Sequence, residues 1–452
     1  MHILKGYTKQ EISWMMYDWA NSAHSVIIVT LLPIFFDTVA GYTADSVSSM
    51  STWGYATSIA MLIVALAAPF LGVFGDIRGM RKKLFSFFML LGVAACAGMA
   101  FTPGMDFTSG PVAAGKVASL ILVLYIVSVI GFDASAIYYD AFLTDVTTEE
   151  RMDKVSTMGY GLGYIGGSTI PLLIFLIMNL VGVPMLTCLA VVFGLTAVWW
   201  LAFSLPLLKN CEQTSGKPYE KGDVARSIKG VGTTIKEIIA NKPMLIYILS
   251  YFFYIDGVHT VISMATTYGT NLGLDSTGMM LALLLVQILG LPFCLLYIKC
   301  SEKFGARTMV GFGICVYMFI CIFAFFMNSL WQFWVLAVLC ATSQGGIQAL
   351  SRSMYGKLIP DKDRSGEFFG FFDIFGKFSS IMGPALVGVV SSVVANGMLG
   401  VQGLTAQTAT AEQINAINAQ SSHYGILSII IIIIVGAVLY FGFLPKAEHA
   451  KQ

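Results

Sequence analysis

The chain has 452 residues, 57% of them apolar and only 11% charged, with a net charge of +1. Soluble domains carry about 25% charged residues, so this composition excludes a water-solvated globule and makes lipid the fitting solvent. The near-neutral charge excludes a nucleic-acid footprint, and the eight Cys and five His show no CxxC or HxxxH spacing that would announce a metal site or a disulfide framework.

In chain order, the first apolar stretch runs from Ile12 to Phe36 and contains Asp18, Asn21 and His24. A cleavable leader would not tolerate those groups, so the stretch reads as the first membrane helix of the mature protein. The apolar runs predict helices 1 to 6 at 12–37, 50–75, 84–103, 116–144, 154–181 and 184–207, and helices 7 to 12 at 243–270, 276–300, 307–328, 330–355, 367–395 and 423–444. Each has the length of about 20 residues or more that crosses a bilayer, where only a helix satisfies its own backbone. The fold class expected is an all-α membrane protein. The N-terminal six-helix bundle covers 1–207, a polar connector 208–242 carries a short surface helix at 225–240, and the C-terminal bundle covers 243–452. A long outside loop is expected at 397–422.

Charge orients this arrangement. With the N-terminus in the cytoplasm, the inside segments hold Lys5 and Lys9, then Arg78, Arg81, Lys82 and Lys83, then Arg151 and Lys154, then the basic connector. They continue with Lys299, Lys303 and Arg307, then Lys357, Lys362 and Arg364, then Lys446 and Lys451. Of the 26 Lys and Arg, only Lys116 falls in an outside loop, while Arg352 and Lys377 fall within helices. The positive-inside rule therefore places both termini of this multi-pass membrane protein in the cytoplasm.

The halves echo one another. Asp76-x-x-Gly79-x-Arg81 recurs as Glu302-x-x-Gly305-x-Arg307, and Asn21-x-x-His24-Ser-Val-Ile as Asp256-x-x-His259-Thr-Val-Ile. Setting Arg151 on Arg364 aligns Gly163 and Pro171 with Gly376 and Pro384. Such parallel repeats characterise a transporter class whose substrate site lies near the midplane.

The string Gly72-x-x-x-Asp76-x-x-Gly79-x-Arg81-Lys82-Lys83 resembles the loop signature of the major facilitator superfamily. There the Asp acts as a conformational latch rather than a substrate ligand. Longer strings are Tyr17-Asp18-Trp19-Ala20-Asn21-Ser22, Tyr139-Asp140-Ala141-Phe142-Leu143, Gly161-x-Gly163-Tyr164-Ile165-Gly166-Gly167, Gly345 to Ser353, Glu367-Phe368-Phe369-Gly370 and Gly376-Lys377-Phe378. They resemble the vacuole-effluxer-like branch of that superfamily, which includes fungal autophagy-related vacuolar amino-acid exporters. Asp140 departs from that pattern, where many relatives are expected to carry Asn. The resemblance implies a solute carrier with the twelve-helix major facilitator fold in two pseudo-symmetric bundles.

Ionisable groups inside membrane helices are costly and mark pathways or partners. On helix 1, Asp18, Asn21, Ser22 and Ser25 share a face; with His24 they are candidates for solute or proton binding, against a plain interhelical seam. On helix 7, Asp256 and His259 stand one turn apart, with Thr260 and Ser263, as the leading candidates for proton transfer. Asp133 is a second proton candidate, and Gln344 and Gln348 line one face of helix 10. Candidate gating groups are Asp76, Arg81, Asp140, Glu302, Arg307, Arg352, Asp373 and Lys377. Asp373 and Lys377 are spaced to pair on helix 11. Arg352 has no carboxylate within a turn of its own helix and so calls for one from Asp140, Asp18 or Asp373. The small residues Gly161, Gly163, Gly166 and Gly167 read as helix packing, and Trp199 and Trp200 as interface anchors or packing.

The expected function is secondary active transport of a small polar solute, amino acids first, by rocker-switch alternating access with proton coupling. A lipid or amphiphile transporter of the same fold is the alternative. No catalytic constellation or Walker motif is present, so neither an enzyme nor a cofactor is expected. The partners expected are the solute, membrane lipid and protons, with a monomeric chain.

Overall fold

The computed structural model describes residues 4–43, 49–218, 223–404, 408 and 410–444. Among them, twelve helices are long and apolar enough to span a membrane, and no β-strand is present. They are α1 (Lys9–Ala40), α2 (Ser49–Gly75), α3 (Arg81–Met99), α4 (Pro111–Val146), α5 (Glu149–Leu180) and α6 (Met185–Asn210). The second set is α7 (Lys242–Asn271), α8 (Ser276–Phe304), α9 (Ala306–Phe325), α10 (Leu330–Leu358), α11 (Ser365–Val401) and α12 (Ala411–Val438). The connector holds one further helix, Asp223–Ala240.

Local chemistry sets the ends. Thr8 begins α1 with a reciprocal capping box to Glu11, which satisfies two orphan donors of the first turn. Thr410 and Gln413 form the same box at the start of α12. This corrects the loop expected at 397–422. α11 continues to Val401 and α12 begins at Ala411, because Gln and Asn side chains that read as loop by hydropathy still extend a helix once Thr410 caps it. In α5 the glycine-rich stretch Tyr164–Thr169 is a π-helical turn, a local widening often found at functional positions.

The chain forms two compact units, Met1–Thr234 with Ile359–Ile374, and Ile235–Leu358 with Phe375–Gln452. The first part of α11 therefore belongs to the first unit, although α11 lies in the second set of helices in sequence. Within the first unit, α1 packs on α4 and α6, α2 on α4, and α3 on α4 and α6. The second unit repeats each pairing six helices later: α7 with α10 and α12, α8 with α10, and α9 with α10 and α12. Each unit also joins its first helix to its fourth by a tyrosine–serine bond, Tyr17 Oη to Ser135 Oγ at 2.7 Å and Tyr254 Oη to Ser351 Oγ at 2.6 Å. The repeat seen in the residues is thus also a repeat of packing. Outward positions carry Leu66, Phe87, Val123, Val198, Phe319 and Ile431, all exposed. Lipid solvates such side chains, whereas water would drive them together.

Candidate functional site

In the first unit, the turn between α2 and α3 gathers the densest polar cluster. Gly79 takes φ +80°, a left-handed conformation that suits glycine, and brings Arg81 back toward Asp76. Arg81 is fully buried. Its Nη2 donates to Asp76 Oδ1 at 2.8 Å and to Ser365 Oγ at 2.9 Å. Its Nη1 donates to Asp145 Oδ2, to the Ala141 carbonyl and to Ser215 Oγ. Asp76 in turn caps α11: Oδ1 accepts from the Gly366 N–H at 2.7 Å and Oδ2 from the Glu367 N–H at 2.8 Å. These donors in the first turn have no intrahelical acceptor, so a carboxylate there satisfies them and meets the positive end of the helix dipole. Arg81 is shared between Asp76 and Asp145 and cannot neutralise both. Burial pushes the Asp76 carboxyl up to about 7, against the downward pull of Arg81 and the two amides.

Glycines permit this approach. A Cβ on Gly72 would lie 2.1 Å from the Gly366 carbonyl oxygen, and one on Gly370 would lie 2.5 Å from that of Ala68. Ala68 and Gly72 of α2, with Asp76 just beyond its end, are spaced by four and form the surface on which the start of α11 rests.

The connector is stitched over the same turn. Gln213 Oε1 accepts from the N–H groups of Gly79 and Arg81, and its Nε2 donates to the Gly75 carbonyl. Lys217 exchanges backbone hydrogen bonds with Asp76 and Arg78. The Gly216 N–H donates to Asp363 Oδ1 at 2.8 Å, just before α11. Farther on, Thr234 Oγ1 donates to Glu367 Oε1 and accepts from Arg364 Nη2.

The echo of this turn in the second unit is built differently. Gly305 has φ +83° like its counterpart, but Arg307 Nη2 donates to the Leu444 carbonyl at 2.7 Å, just past the π-helical turn Leu439–Phe443 that follows α12, while its own carbonyl accepts from Tyr440 Oη. Glu302 is exposed.

The helix 1 candidates divide. Asp18 and Asn21 are buried, Ser22 is half-buried and Ser25 is exposed. The glycines of α5 seat this face: a Cβ on Gly159 would meet Asp18 Oδ2 at 2.4 Å, on Gly163 Ser22 Oγ at 2.6 Å, and on Gly166 the Trp19 ring at 1.9 Å. His24 lies in the aromatic core of the unit. Its ring stacks on Phe132 at 4.7 Å beside Trp200, and Nε2 pairs with Ser128 Oγ at 3.2 Å. Trp200 is fully buried, so it packs rather than anchoring an interface. Asp133 is buried in α4 within electrostatic reach of Tyr125. Asp140 is half-buried beside Tyr139, whose ring stacks on Trp14.

The second unit gathers the helix 7 candidates with others. Asp256 is fully buried. Its Oδ1 accepts from the Gly383 N–H at 2.8 Å and from Thr260 Oγ1 at 3.4 Å, while Oδ2 has no hydrogen-bond partner among the described residues. Gly383 allows the approach, since a Cβ there would lie 1.8 Å from Thr260 Oγ1. Pro384 follows inside α11 and removes a backbone donor. His259 faces Lys377 and Gln348, and its Nδ1 lies 3.5 Å from Ser379 Oγ. Gln348 Nε2 donates to the Gln344 carbonyl. Gln344 also borders a cavity of about 100 Å³, lined chiefly by apolar residues such as Val261, Ile320 and Leu336, with Gln287 and Tyr268. Arg352 is buried in α10 and Asp373 is half-buried in α11. Among the described residues, no group of three or more His, Cys, Asp or Glu gathers as a metal site would.

Comparison with known proteins assigns the family. Residues 42–151 and 144–406 match the family described as vacuole effluxer Atg22 like. The MFS-type transporter YxiO of Bacillus subtilis (strain 168) is 40% identical over 98% of this chain and 96% of its own length. The chain belongs to the Atg22-like family. Autophagy-related protein 22-1 of Penicillium rubens is 25% identical over 53% of this chain and 44% of that protein. The proton:xylose symporter XylE, solved with 6-bromo-6-deoxy-D-glucose, superposes with a TM-score of 0.71 at 14% identity, covering 97% of this chain and 95% of that one. A bacterial homologue of the iron transporter ferroportin gives 0.62 at 15% identity, covering 95% and 98%. At these identities the structural likeness establishes the major facilitator fold alone; the family match and the 40% identity to an MFS-type transporter make the chain a membrane transporter and not an enzyme.

Within this Atg22-like transporter, the glycine string of α5 seats α1, and Glu367, which opens another family string, joins the α11 cap. Several partners escaped sequence reading. Asp145, Gln213, Ser215 and Thr234 carry no pattern of their own. Glu11, buried in α1, accepts two bonds of 2.7 Å from Arg151 and one from Thr147.

Proposed function

We propose that this transporter is a secondary carrier that exports a small polar solute, amino acids first, by alternating access coupled to protons. The observation that carries the reading is Asp256: a buried carboxylate in a membrane unit, with one oxygen on a backbone N–H and the other open to a proton or a cationic group. An intramembrane carboxylate of this kind is a functional candidate by default. His259, Gln348 and Lys377 supply neighbouring polar groups for relay or solute binding, with Asp18, Asn21, Ser22 and Asp133 as the candidates of the first unit. The family description as effluxers and the resemblance to fungal vacuolar amino-acid exporters support the direction and the class of solute.

The Asp76–Arg81 cluster is the gate in this reading, with release of the start of α11 as the opening step. Arg352, Asp140, Asp373 and Lys377 are proposed as further gating groups. The charge pattern supports cytoplasmic termini, which puts the gate on the cytoplasmic side. A second reading, transport of an amphiphile, is favoured by the mostly apolar cavity beside Gln344. Flux of radiolabelled amino acids in proteoliposomes, with and without a pH gradient, tests both. Gradient-sensitive amino-acid flux supports the first reading. Its absence, together with protein-dependent transfer of a labelled lipid between leaflets, supports the second.

A further inference from the structure

The connector helix Asp223–Ala240 has a divided surface in its described half. Thr234 and Ile238, one turn apart, are buried. At about 100° per residue, Ile235 and Ile239 form the adjacent stripe, and they are 44% and 57% exposed. Lys236 lies beyond that stripe and is also exposed. The helix contains Gly230 and Gly232 with several β-branched residues, so its own propensity is weak and it depends on burying its faces. One face is accounted for by Thr234 at the start of α11. The isoleucine stripe is not covered by other described residues.

Its position says what covers it. The helix ends at Ala240, and Asn241 directly caps α7, accepting from the Met244 N–H at 3.3 Å. A single residue therefore separates Ile239 and Ala240 from the first turn of a membrane-spanning helix, where Lys242 is exposed. An exposed apolar stripe flanked by lysines, at the level where a spanning helix enters the bilayer, matches an interfacial helix. Lysine stems can lie along the apolar surface while their ammonium groups reach headgroup phosphates.

We propose that the connector helix lies in the membrane interface, with Ile235 and Ile239 in the acyl boundary and Lys236 and Lys242 on anionic phospholipid headgroups. Because Thr234 on the same helix bonds Arg364 and Glu367, lipid engagement is transmitted to the first turn of α11, the element that Asp76 caps. This is independent of which solute is carried and of the direction of transport.

The test uses the full chain in vesicles of phosphatidylcholine alone or with about one-third phosphatidylglycerol. Cys315, the exposed cysteine, is replaced by Ser, and Ile239→Cys or Lys236→Cys carries an environment-sensitive fluorophore. Lipids with a nitroxide high on the acyl chain should quench the label at Ile239→Cys several-fold more than at Lys236→Cys. Its emission should shift further to the blue with phosphatidylglycerol, and Lys236→Glu should abolish that added shift. Equal quenching at the two positions would overturn the proposal. So would a blue-shifted but unquenched label showing energy transfer between copies, since the stripe would then be a self-association surface. A shift insensitive to phosphatidylglycerol would overturn the anionic-headgroup assignment.

Discussion

The replacement Gly72→Ala probes the start of α11 most sharply. The added methyl would sit 2.1 Å from the Gly366 carbonyl oxygen, 2.7 Å from its carbon and 3.0 Å from the Glu367 Cα. All of these are backbone atoms, which cannot rotate away. Relieving the clash requires the helices to part by about 1 Å or more, since non-bonded carbon sits about 3.5 Å or more from its neighbours. The 2.7 and 2.8 Å bonds from Gly366 and Glu367 to Asp76 would then lengthen past useful range. Hydrogen bonds to a charged group contribute about 1.5–3 kcal/mol each, so losing both favours the released arrangement by about 100-fold or more. Hydrogen–deuterium exchange reads this directly. The two amides have no acceptor within their own helix, so their protection reports the Asp76 cap. The variant should exchange there about 100-fold faster, while Gly115→Ala, where nothing lies within 4 Å, should leave the rate unchanged. Unaltered protection at Gly366 and Glu367 in Gly72→Ala would show that the Asp76 cap does not depend on the close approach at Gly72.

Gln213→Ala removes three hydrogen bonds from the Asp76–Arg81 turn and should raise exchange at the same two amides about fivefold, from about 1 kcal/mol of net lost bonding; no rise would detach the connector from the gate. Asp76 supplies a pH test. A carboxyl whose folded value is raised toward 7 disfavours the folded state as pH climbs from about 4 to 7, and that penalty is absent at lower pH. The melting temperature of the wild type relative to Asp76→Asn should therefore improve as pH falls from 8 to 5, and a constant difference would exclude this assignment. Asp256→Asn should abolish flux driven by a pH gradient while keeping solute exchange, and gradient-driven flux at the wild-type rate would remove Asp256 from coupling. Arg352→Ala should increase labelling of cytoplasm-facing cysteines, and unchanged labelling on both sides would count against its gating role.

Spans, repeat and the Asp76–Arg81 turn were legible because each is a local pattern: apolar runs, recurring strings, and a glycine between two charges. The partners of that turn were not. Gln213, Ser215 and Asp145 are ordinary polar residues whose meaning arises only when the connector folds back over residues more than 60 positions away. His24 and His259 occupy equivalent places in their strings, yet one stacks in an aromatic core and the other faces Lys377 and Gln348. The helix that follows decides which, and a motif cannot report it. The start of α12 was visible in principle, since Thr410 and Gln413 have capping-box spacing, but the polar residues around them masked it in a reading led by hydropathy.

A carrier that exchanges small polar solutes across the membrane shows counterflow. Proteoliposomes loaded with an unlabelled amino acid are diluted into a trace of the same labelled one, with no other gradient. Label should accumulate transiently above equilibrium, and the overshoot should be retained in Asp256→Asn and reduced in Gly72→Ala. No overshoot for any amino acid, with protein present and folded, would contradict amino-acid exchange.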